Sequence, residues 1–168
     1  ALADRHVLVS SLIGRAGEGK SRVLRATLDA FCASHPDVRV VVASPTAEID
    51  AKSLEDLGAG AKLVVVDDAH DRADLGQLVR YVADERSNAR MLLVYRPYWA
   101  EVVQRELAKS GLTGELVASV TLARPTKQDA TKLATQVLAK HGAPTGLATT
   151  IAGIAYDSPL AVVVGAQI

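Results

Sequence analysis

The sequence predicts an α/β protein, in which a parallel sheet of five strands is covered by helices and followed by a small helical subdomain. Five short apolar runs alternate with amphipathic segments as far as Arg124. This alternation is typical of parallel strands joined by crossover helices. After Pro125 only helical patterns remain. We therefore expect a core domain over residues 1–124 and a helical lid or subdomain over residues 125–168.

Composition supports a folded domain. Of the 168 residues, 49% are hydrophobic and 23% are charged, which argues against disorder. The formal net charge is zero and no basic block occurs, so we expect no direct nucleic-acid binding by this domain. No apolar run approaches the ~18–20 residues that cross a bilayer, and no signal-peptide pattern is visible. We therefore expect a cytoplasmic protein without a membrane partner.

Cys32 is the only cysteine of the chain. A single cysteine forms no disulfide framework and no cysteine-based metal site. It falls on the apolar side of the first predicted helix, so we expect it to pack in the core.

The apolar runs are the candidate strands, and they occupy residues 7–13, 38–43, 63–66, 91–94 and 116–122. The second run is nearly all apolar, as expected of a parallel strand covered on both faces. The fifth alternates apolar and polar residues only in part. Turn-forming residues separate the runs from the helical segments.

The segments between the runs carry apolar residues at the helical period of 3.6. After Gly19 the apolar stripe contains Leu24, Leu28 and Phe31. Further helices are expected over residues 53–57, 74–86 and 99–111.

The tail after residue 124 contains three predicted helices. Thr126 with Asp129 three positions later predicts a capping box at the start of the first. The second is expected over residues 145–155. Ser158 followed by Pro159 predicts the start of the third, as an N-cap with proline in the first turn.

A glycine-rich stretch after the first run matches G-x-x-x-x-G-K-[ST], the phosphate-binding P-loop. It consists of Gly14, Arg15, Ala16, Gly17, Glu18, Gly19, Lys20 and Ser21. Glycines let the backbone turn tightly, so that successive N–H groups point at phosphate oxygens. Arg15, Glu18 and the following Arg22 are variable positions, where the backbone matters more than the side chain. The position between an apolar strand and an amphipathic helix favours this interpretation over a chance match by a glycine-rich turn.

Two side chains of this loop carry the predicted chemistry. Lys20 would reach the β- and γ-phosphates as a point charge, and the Ser21 hydroxyl would ligate Mg²⁺. A helix beginning at Lys20 would direct its positive N-terminus at the same anion. The predicted fold is therefore a three-layer P-loop NTPase core.

The third apolar run ends in Asp67 and Asp68, at the edge where open α/β sheets bind ligands. Asp67 would hold the magnesium opposite Ser21, directly or through water, and Asp68 would orient or deprotonate the attacking water. Alternatively, the pair caps the strand end or starts a turn. Two adjacent carboxylates after four apolar residues favour the cation site, because a cation compensates their charge.

Arg96 follows the fourth run, and its guanidinium at the same edge could contact the γ-phosphate and stabilise transferred charge. A surface arginine paired with a carboxylate is an equal alternative. Tyr95 and Trp99 are interpreted as packing residues. His70 could help to read the nucleotide state, or could be a solvent-facing turn histidine.

The order of these motifs resembles the nucleotide-binding core of STAND ATPases, which are signalling relatives of the AAA+, NACHT and NB-ARC families. The segments that carry the resemblance are the P-loop and the stretches LVVVDDAH, LLVYRP and TLARPTKQDA. The resemblance implies ATP or ADP with Mg²⁺ as cofactors, an acid pair that binds magnesium and positions water, and an arginine sensor. Asp67, Asp68 and Arg96 occupy those places.

The resemblance also implies contacts with the adenine base. The family has a Gly-x-Pro-Leu segment whose proline lies against the base, and this chain keeps the proline as Pro159 but has Asp157 in place of the glycine. Residues just before the first strand often close over the base, which nominates Arg5 and His6.

The predicted function is therefore that of an Mg²⁺-dependent ATP-binding and slowly hydrolysing switch domain of a larger signalling or defence protein. We expect both ends to be cut, with partners among other domains of a longer chain and further protomers. A non-hydrolysing ATP-binding scaffold and, on weaker grounds, a P-loop small-molecule kinase are the alternatives. The tail carries lysines but no arginine after residue 124, which counts against the kinase.

Overall fold

The structure is a computed structural model and describes residues 6–167. Its internal contacts divide the chain into two units. The first comprises Ser21–Thr121 and the chain up to Ile13, and the second comprises Gly14–Lys20 and the chain from Leu122 onward. Residues 14–20 of the glycine-rich stretch therefore belong to the same unit as the C-terminal helices, and Ser21 belongs to the first unit.

The first unit is built on a five-stranded parallel sheet, as predicted. The strands are β1 (Val9–Ile13), β2 (Arg39–Val42), β3 (Lys62–Val66), β4 (Ala89–Tyr95) and β5 (Val117–Thr121). They lie in the order β2-β3-β4-β1-β5, and every pair is parallel. The α/β fold class is thereby confirmed.

The three central strands carry the core of this unit. Every residue of β1 and of β3 is buried, and six of the seven residues of β4 are buried as well. Continuous apolar runs are typical of parallel strands covered on both faces.

The prediction that the second strand is covered on both faces was wrong. β2 is an edge strand, all its residues are at least partly exposed, and the side chain of Val42 is 60% exposed. An apolar run shows that a strand forms, but it does not show the position of that strand in the sheet. Position is set by which strands pair.

Four helices accompany the sheet in the chain: α1 (Lys20–Ser34), α2 (Ala51–Glu55), α3 (Leu75–Ala83) and α4 (Ala100–Lys109). The predicted stripe of α3 is confirmed, since its buried residues are Leu75, Leu78, Val79 and Val82. In α1 the buried residues are Leu24 and Phe31.

Cys32 is exposed rather than a core residue. It follows Phe31 directly, and successive residues of an α-helix point about 100° apart. Its side chain therefore leaves the buried stripe that Phe31 occupies.

The second unit has its own small core, formed by α5 (Lys127–Lys140), α6 (Ala148–Ala155) and α7 (Pro159–Gly165). The capping box at α5 is confirmed: the Thr126 N–H donates to Asp129 Oδ2 at 3.1 Å, and the Asp129 N–H donates to Thr126 Oγ1 at 3.2 Å. The buried contacts are made by Ala130, Ala134, Leu138, Ala148, Ala152, Val162 and Ala166. Alanine predominates in this core.

Across residues 6–167, no helix has both the length and the apolar character that crossing a membrane requires.

Candidate nucleotide-binding site

The glycine-rich loop has the backbone that its motif predicts. Gly17 and Gly19 adopt φ angles of +80° and +87°, a region that residues with a Cβ rarely enter. The Glu18 N–H donates to the carbonyl oxygen of Arg15 at 3.4 Å, which closes a turn within the loop. Lys20, which follows Gly19 in the chain, is the first residue of α1.

Side chains of the loop also hold it together. Lys20 Nζ donates to the Arg15 carbonyl at 3.3 Å, and the Arg15 N–H donates to Glu18 Oε2 at 2.6 Å. The Glu18 carboxylate thus braces the loop from within. A variable position of a motif carries no signal for such a contact, so the sequence did not indicate it.

The tip of the loop packs on the start of α7 within the second unit. The Leu160 N–H donates to the Gly17 carbonyl at 3.3 Å. A Cβ placed on Gly17 would lie 2.8 Å from Ser158 Oγ. Ser158 is the N-cap of α7, as predicted, and accepts from the Ala161 N–H at 3.3 Å. Gly17 is therefore required both by its φ angle and by this close approach.

Pro159, the candidate adenine contact, is the first residue of α7. It lines a cavity of about 160 Å³ whose walls are mainly apolar, with Pro125, Asp129, Ala130, Leu133, Tyr156 and Val162. Pro159 belongs to the same unit as residues 14–20 of the loop.

The carboxyl ends of the central strands lie at one edge of the sheet in the first unit. Ile13 of β1 is level with Tyr95 of β4, and Val66 of β3 is level with Leu93. Asp67 and Arg96 each follow directly after one of these strands. The register therefore brings the strand ends that precede them to the same edge, as the sequence predicts for parallel strands.

The acid pair forms a tight turn at this edge. The Asp68 backbone has φ +46° and ψ +47°, a left-handed conformation that aspartate and asparagine tolerate better than most residues. The Asp67 carboxylate accepts from the Asp68 N–H at 3.0 Å. The pair thus starts a turn, which was the alternative interpretation, and both carboxylates remain at the end of a buried strand.

The oxygen ligands available at this edge suit a Mg²⁺ ion, which needs few protein ligands, better than a metal ion whose ligands all come from the protein. Residues 6–167 contain no cluster of three or more His, Cys, Asp or Glu side chains able to hold a metal. Magnesium is usually bound by one or two protein oxygens, with water and substrate phosphates completing its shell. The half-buried Asp67 and the exposed Ser21 supply a carboxylate and a hydroxyl of that kind.

Arg96 is oriented by its neighbour Tyr98. Nη1 of Arg96 donates to the Tyr98 hydroxyl at 3.2 Å. This hydrogen bond, followed by the negative charges of Asp68 and Asp71, raises the pKa of the Arg96 guanidinium. Within the described part of the chain, Arg96 Nε is buried and has no hydrogen-bond partner. Arg96 is half-buried, and its guanidinium is hydrogen-bonded to a tyrosine hydroxyl.

His70 is not a solvent-facing histidine. Its side chain is only 2% exposed and lies on a 3₁₀ turn, Ala69–Asp71. The ring centroid is 5.7 Å from that of Trp99 and 6.4 Å from that of Tyr98. Nε2 is 3.5 Å from Asp71 Oδ2, while Nδ1 is buried without a hydrogen-bond partner among the described residues.

The remaining predicted site residues are placed as follows. Ala16, Ser21 and Arg22 are exposed, Gly14 is buried, and His6 lies exposed in a turn before β1. Arg5 lies outside the described residues. Tyr95 is 1% exposed in the main core, consistent with packing.

Searches for relatives by sequence gave no match, either among protein-family models or among curated proteins. Solved structures do match. The chain superposes on the Hsp104–ADP complex of S. cerevisiae with a TM-score of 0.71 and 13% identity, covering 99% of this chain and 29% of that one. It matches domain III of the replication initiation protein DnaA of Thermotoga maritima with a TM-score of 0.63 and 14% identity, covering 90% of this chain and 70% of that one. These likenesses show that the chain has the same α/β fold as those two structures.

Proposed function

We propose that this chain is the Mg²⁺-dependent ATP-binding and slowly hydrolysing switch domain of a larger STAND-type ATPase. The observation that carries the proposal is the stretch 14–21, which combines a complete P-loop motif with left-handed glycines and whose last two residues begin α1. Successive backbone N–H groups in such a loop form an anion-binding concavity.

Each candidate residue has a separate role in the proposal. Lys20 binds the β- and γ-phosphate oxygens by its charge, for which it exchanges its present contact with the Arg15 carbonyl. Ser21 and Asp67 hold the magnesium ion, whose charge neutralises the phosphates when bound. Asp68 orients and deprotonates the attacking water, and Arg96 stabilises charge on the transferred phosphoryl group.

Hydrolysis is expected to be slow in this chain alone. Catalysis of phosphoryl transfer relies on positioning and charge stabilisation, and no residue of the sequence is an evident arginine finger. Nucleotide state would then govern how the chain packs on neighbouring domains or protomers, through an ordering of the Asp68 and Arg96 elements.

The fold comparison supports nucleotide binding as the coarser statement, since the Hsp104 structure is an ADP complex. This chain spans 29% of that Hsp104 chain, so the substrates and assembly of whole proteins with this fold stay proposals here. Pro159 and His6 are proposed as adenine contacts, with ATP preferred to GTP.

Calorimetric titration with ATP and GTP, with and without Mg²⁺, tests the proposal on wild type, Lys20→Ala and Lys140→Ala. Lys140 is an exposed lysine of the same unit outside the loop and serves as the matched control. Lys20→Ala should weaken ATP binding at least roughly tenfold, the effect of one charge-assisted hydrogen bond, while Lys140→Ala binds as wild type. Equal affinity of all three proteins would overturn the assignment of the loop.

A further inference from the structure

His70 is a buried ring with one nitrogen, Nδ1, that no hydrogen bond within the described chain satisfies. Its side chain is 2% exposed, and Nδ1 has no hydrogen-bond partner among residues 6–167. Burial of an unpaired polar group costs free energy that an apolar ring of the same size would not incur. An unsatisfied group of this kind in a native structure calls for an explanation, and a role at a functional site is one such explanation.

A second unpaired atom lies on a residue that shares a neighbour with His70. The Tyr98 hydroxyl accepts a hydrogen bond from Arg96 Nη1 at 3.2 Å. The Tyr98 ring packs edge-on against the His70 ring, with a centroid distance of 6.4 Å. Arg96 Nε is buried and unpaired among the described residues. Tyr98 therefore connects the two residues that carry the unpaired atoms.

The two unpaired atoms are chemically complementary. Arginine Nε–H is a donor and never an acceptor, whereas one ring nitrogen of a neutral histidine is an acceptor. The Asp68 and Asp71 carboxylates flank the same cluster and attract the guanidinium. A change of partner within this cluster would therefore leave the positive charge in a favourable field.

We propose that His70 is a positioning residue for Arg96. The guanidinium exchanges the Tyr98 hydroxyl, which it contacts in the structure, for His70 Nδ1 when phosphate is bound. The turn that carries Asp68 and the strand end that carries Arg96 then move as one element. This inference rests on the proposed function, because it assigns the coupling device of the same site.

The chain contains a natural reporter for this exchange. Trp99 is its only tryptophan, and its ring centroid is 5.7 Å from those of both His70 and Tyr98. A new partner for Arg96 changes the surroundings of that indole. Its fluorescence therefore follows the cluster without depending on turnover.

Two substitutions at position 70 separate hydrogen bonding from packing. His70→Phe keeps an aromatic ring against Trp99 but removes both nitrogens, and His70→Asn keeps a polar acceptor near the place of Nδ1 but removes the ring. The measurements are ATP affinity by calorimetry, phosphate release, Trp99 emission with ATP and with ADP, and the thermal unfolding midpoint.

In His70→Phe we expect KM to stay within about threefold, kcat to fall roughly tenfold and the difference in Trp99 emission between ATP and ADP to disappear. The unfolding midpoint should equal or exceed that of wild type, because an unpaired buried polar group is removed. His70→Asn should recover most of kcat despite lower stability. If His70 were only a structural residue, His70→Phe would instead keep more of the wild-type kcat than His70→Asn.

Wild-type kcat and emission in His70→Phe would overturn the inference, as would a His70→Asn protein with no more activity than His70→Phe. Failure of the proposed function is distinguishable, because it would show as absence of ATP binding by the wild-type chain in calorimetry.

Discussion

Nη1 of Arg96, the residue that follows β4, donates to the hydroxyl of Tyr98, two residues further along the chain, at 3.2 Å. Both residues lie at the carboxyl edge, and Tyr98 is 68% exposed. The contact is therefore local and easily exchanged, because water competes for the donor and the acceptor of a solvent-exposed hydrogen bond.

Tyr98→Phe tests whether the hydroxyl competes for Arg96. The substitution removes the acceptor and leaves the ring against His70. We expect phosphate release to be retained or raised by up to about threefold, with the free energy of unfolding within ~1 kcal/mol of wild type. Steady-state phosphate assays and chemical denaturation measure these quantities. A tenfold loss of turnover would show that the tyrosine contact, and not its release, is the active arrangement.

Asp68→Asn tests the assignment of the water-activating carboxylate. Asparagine accepts the left-handed backbone of this position, so the change removes the charge without straining the turn. Phosphate release should fall at least roughly 100-fold, the contribution of a general base, while calorimetric ATP affinity stays within a few-fold. If wild type and variant release phosphate at the same rate, the chain is better described as a non-hydrolysing ATP-binding module.

Asp67→Asn addresses the metal. The carboxylate is the only charged protein ligand proposed for magnesium, so the variant should lose most of the increase in ATP affinity that Mg²⁺ produces in wild type. Titration of ATP at a series of Mg²⁺ concentrations measures this difference. Asp37→Asn, which changes an exposed carboxyl on another turn, is the control. An unchanged Mg²⁺ dependence in Asp67→Asn would remove this residue from the metal site.

Gly17→Ala tests the two constraints on the loop tip. An alanine at this position would have to adopt the positive φ of Gly17, and its Cβ would lie 2.8 Å from Ser158 Oγ. We therefore expect a loss of about 1–3 kcal/mol in stability. In a Ser158→Ala background, which has already lost the N-cap of α7, Gly17→Ala should cost less than in wild type, because the backbone cost remains but the close approach to Oγ is gone. Gly153→Ala in α6, where a Cβ meets nothing within 4 Å, should instead stabilise by ~0.5–1 kcal/mol. Equal denaturation midpoints for Gly17→Ala and Gly153→Ala would contradict this account.

Asp74 should make stability sensitive to acid. Arg72 Nε donates to its Oδ1 at 2.7 Å and Arg72 Nη2 forms an ion pair with its Oδ2 at 2.5 Å. The hydrogen bonds from Arg72, supplemented by that from the Ile49 N–H, lower the pKa of the Asp74 carboxyl. Its contribution to stability is therefore complete above the unfolded pKa of about 3.9 and is lost as the pH falls toward the lowered folded pKa.

The measurement is the free energy of unfolding between neutral and acid pH in wild type and Asp74→Asn. The variant should lose about 1.5–3 kcal/mol at pH 7, because Arg72 loses its charged partner, and the difference between the two proteins should shrink below pH 4. A difference that is independent of pH would mean that the ionised carboxylate is not the source of the stabilisation.

The sequence predicted the elements better than their arrangement. The runs that became β3 and β4 are continuous and apolar, the run of β1 is interrupted only by Ser10 and Ser11, and the structure buries all three strands. The run of β2 has the same pattern but lies at the sheet edge, because pairing order depends on long-range contacts that periodicity does not contain. Capping at Thr126 was predicted correctly, since a capping box is made by residues three positions apart.

The site shows the same division between local and distant contacts. The left-handed glycines at positions 17 and 19 follow from the motif, and the acid pair follows from its place after β3. Burial of His70 against Trp99 was not predictable, because those residues are far apart in sequence and meet only through packing. The bracing of the loop by Glu18 was missed for another reason: a variable motif position has no preferred partner.

The hydrogen bond from the Leu160 N–H to the Gly17 carbonyl joins main chain to main chain. Exchange of the Leu160 side chain leaves both of its atoms in place, whereas proline at position 160 would remove the donor. The tether between the loop tip and α7 is therefore insensitive to most substitutions at position 160, although position 17 needs its glycine. Any displacement of the loop is passed directly to the first turn of α7, without an intervening side chain.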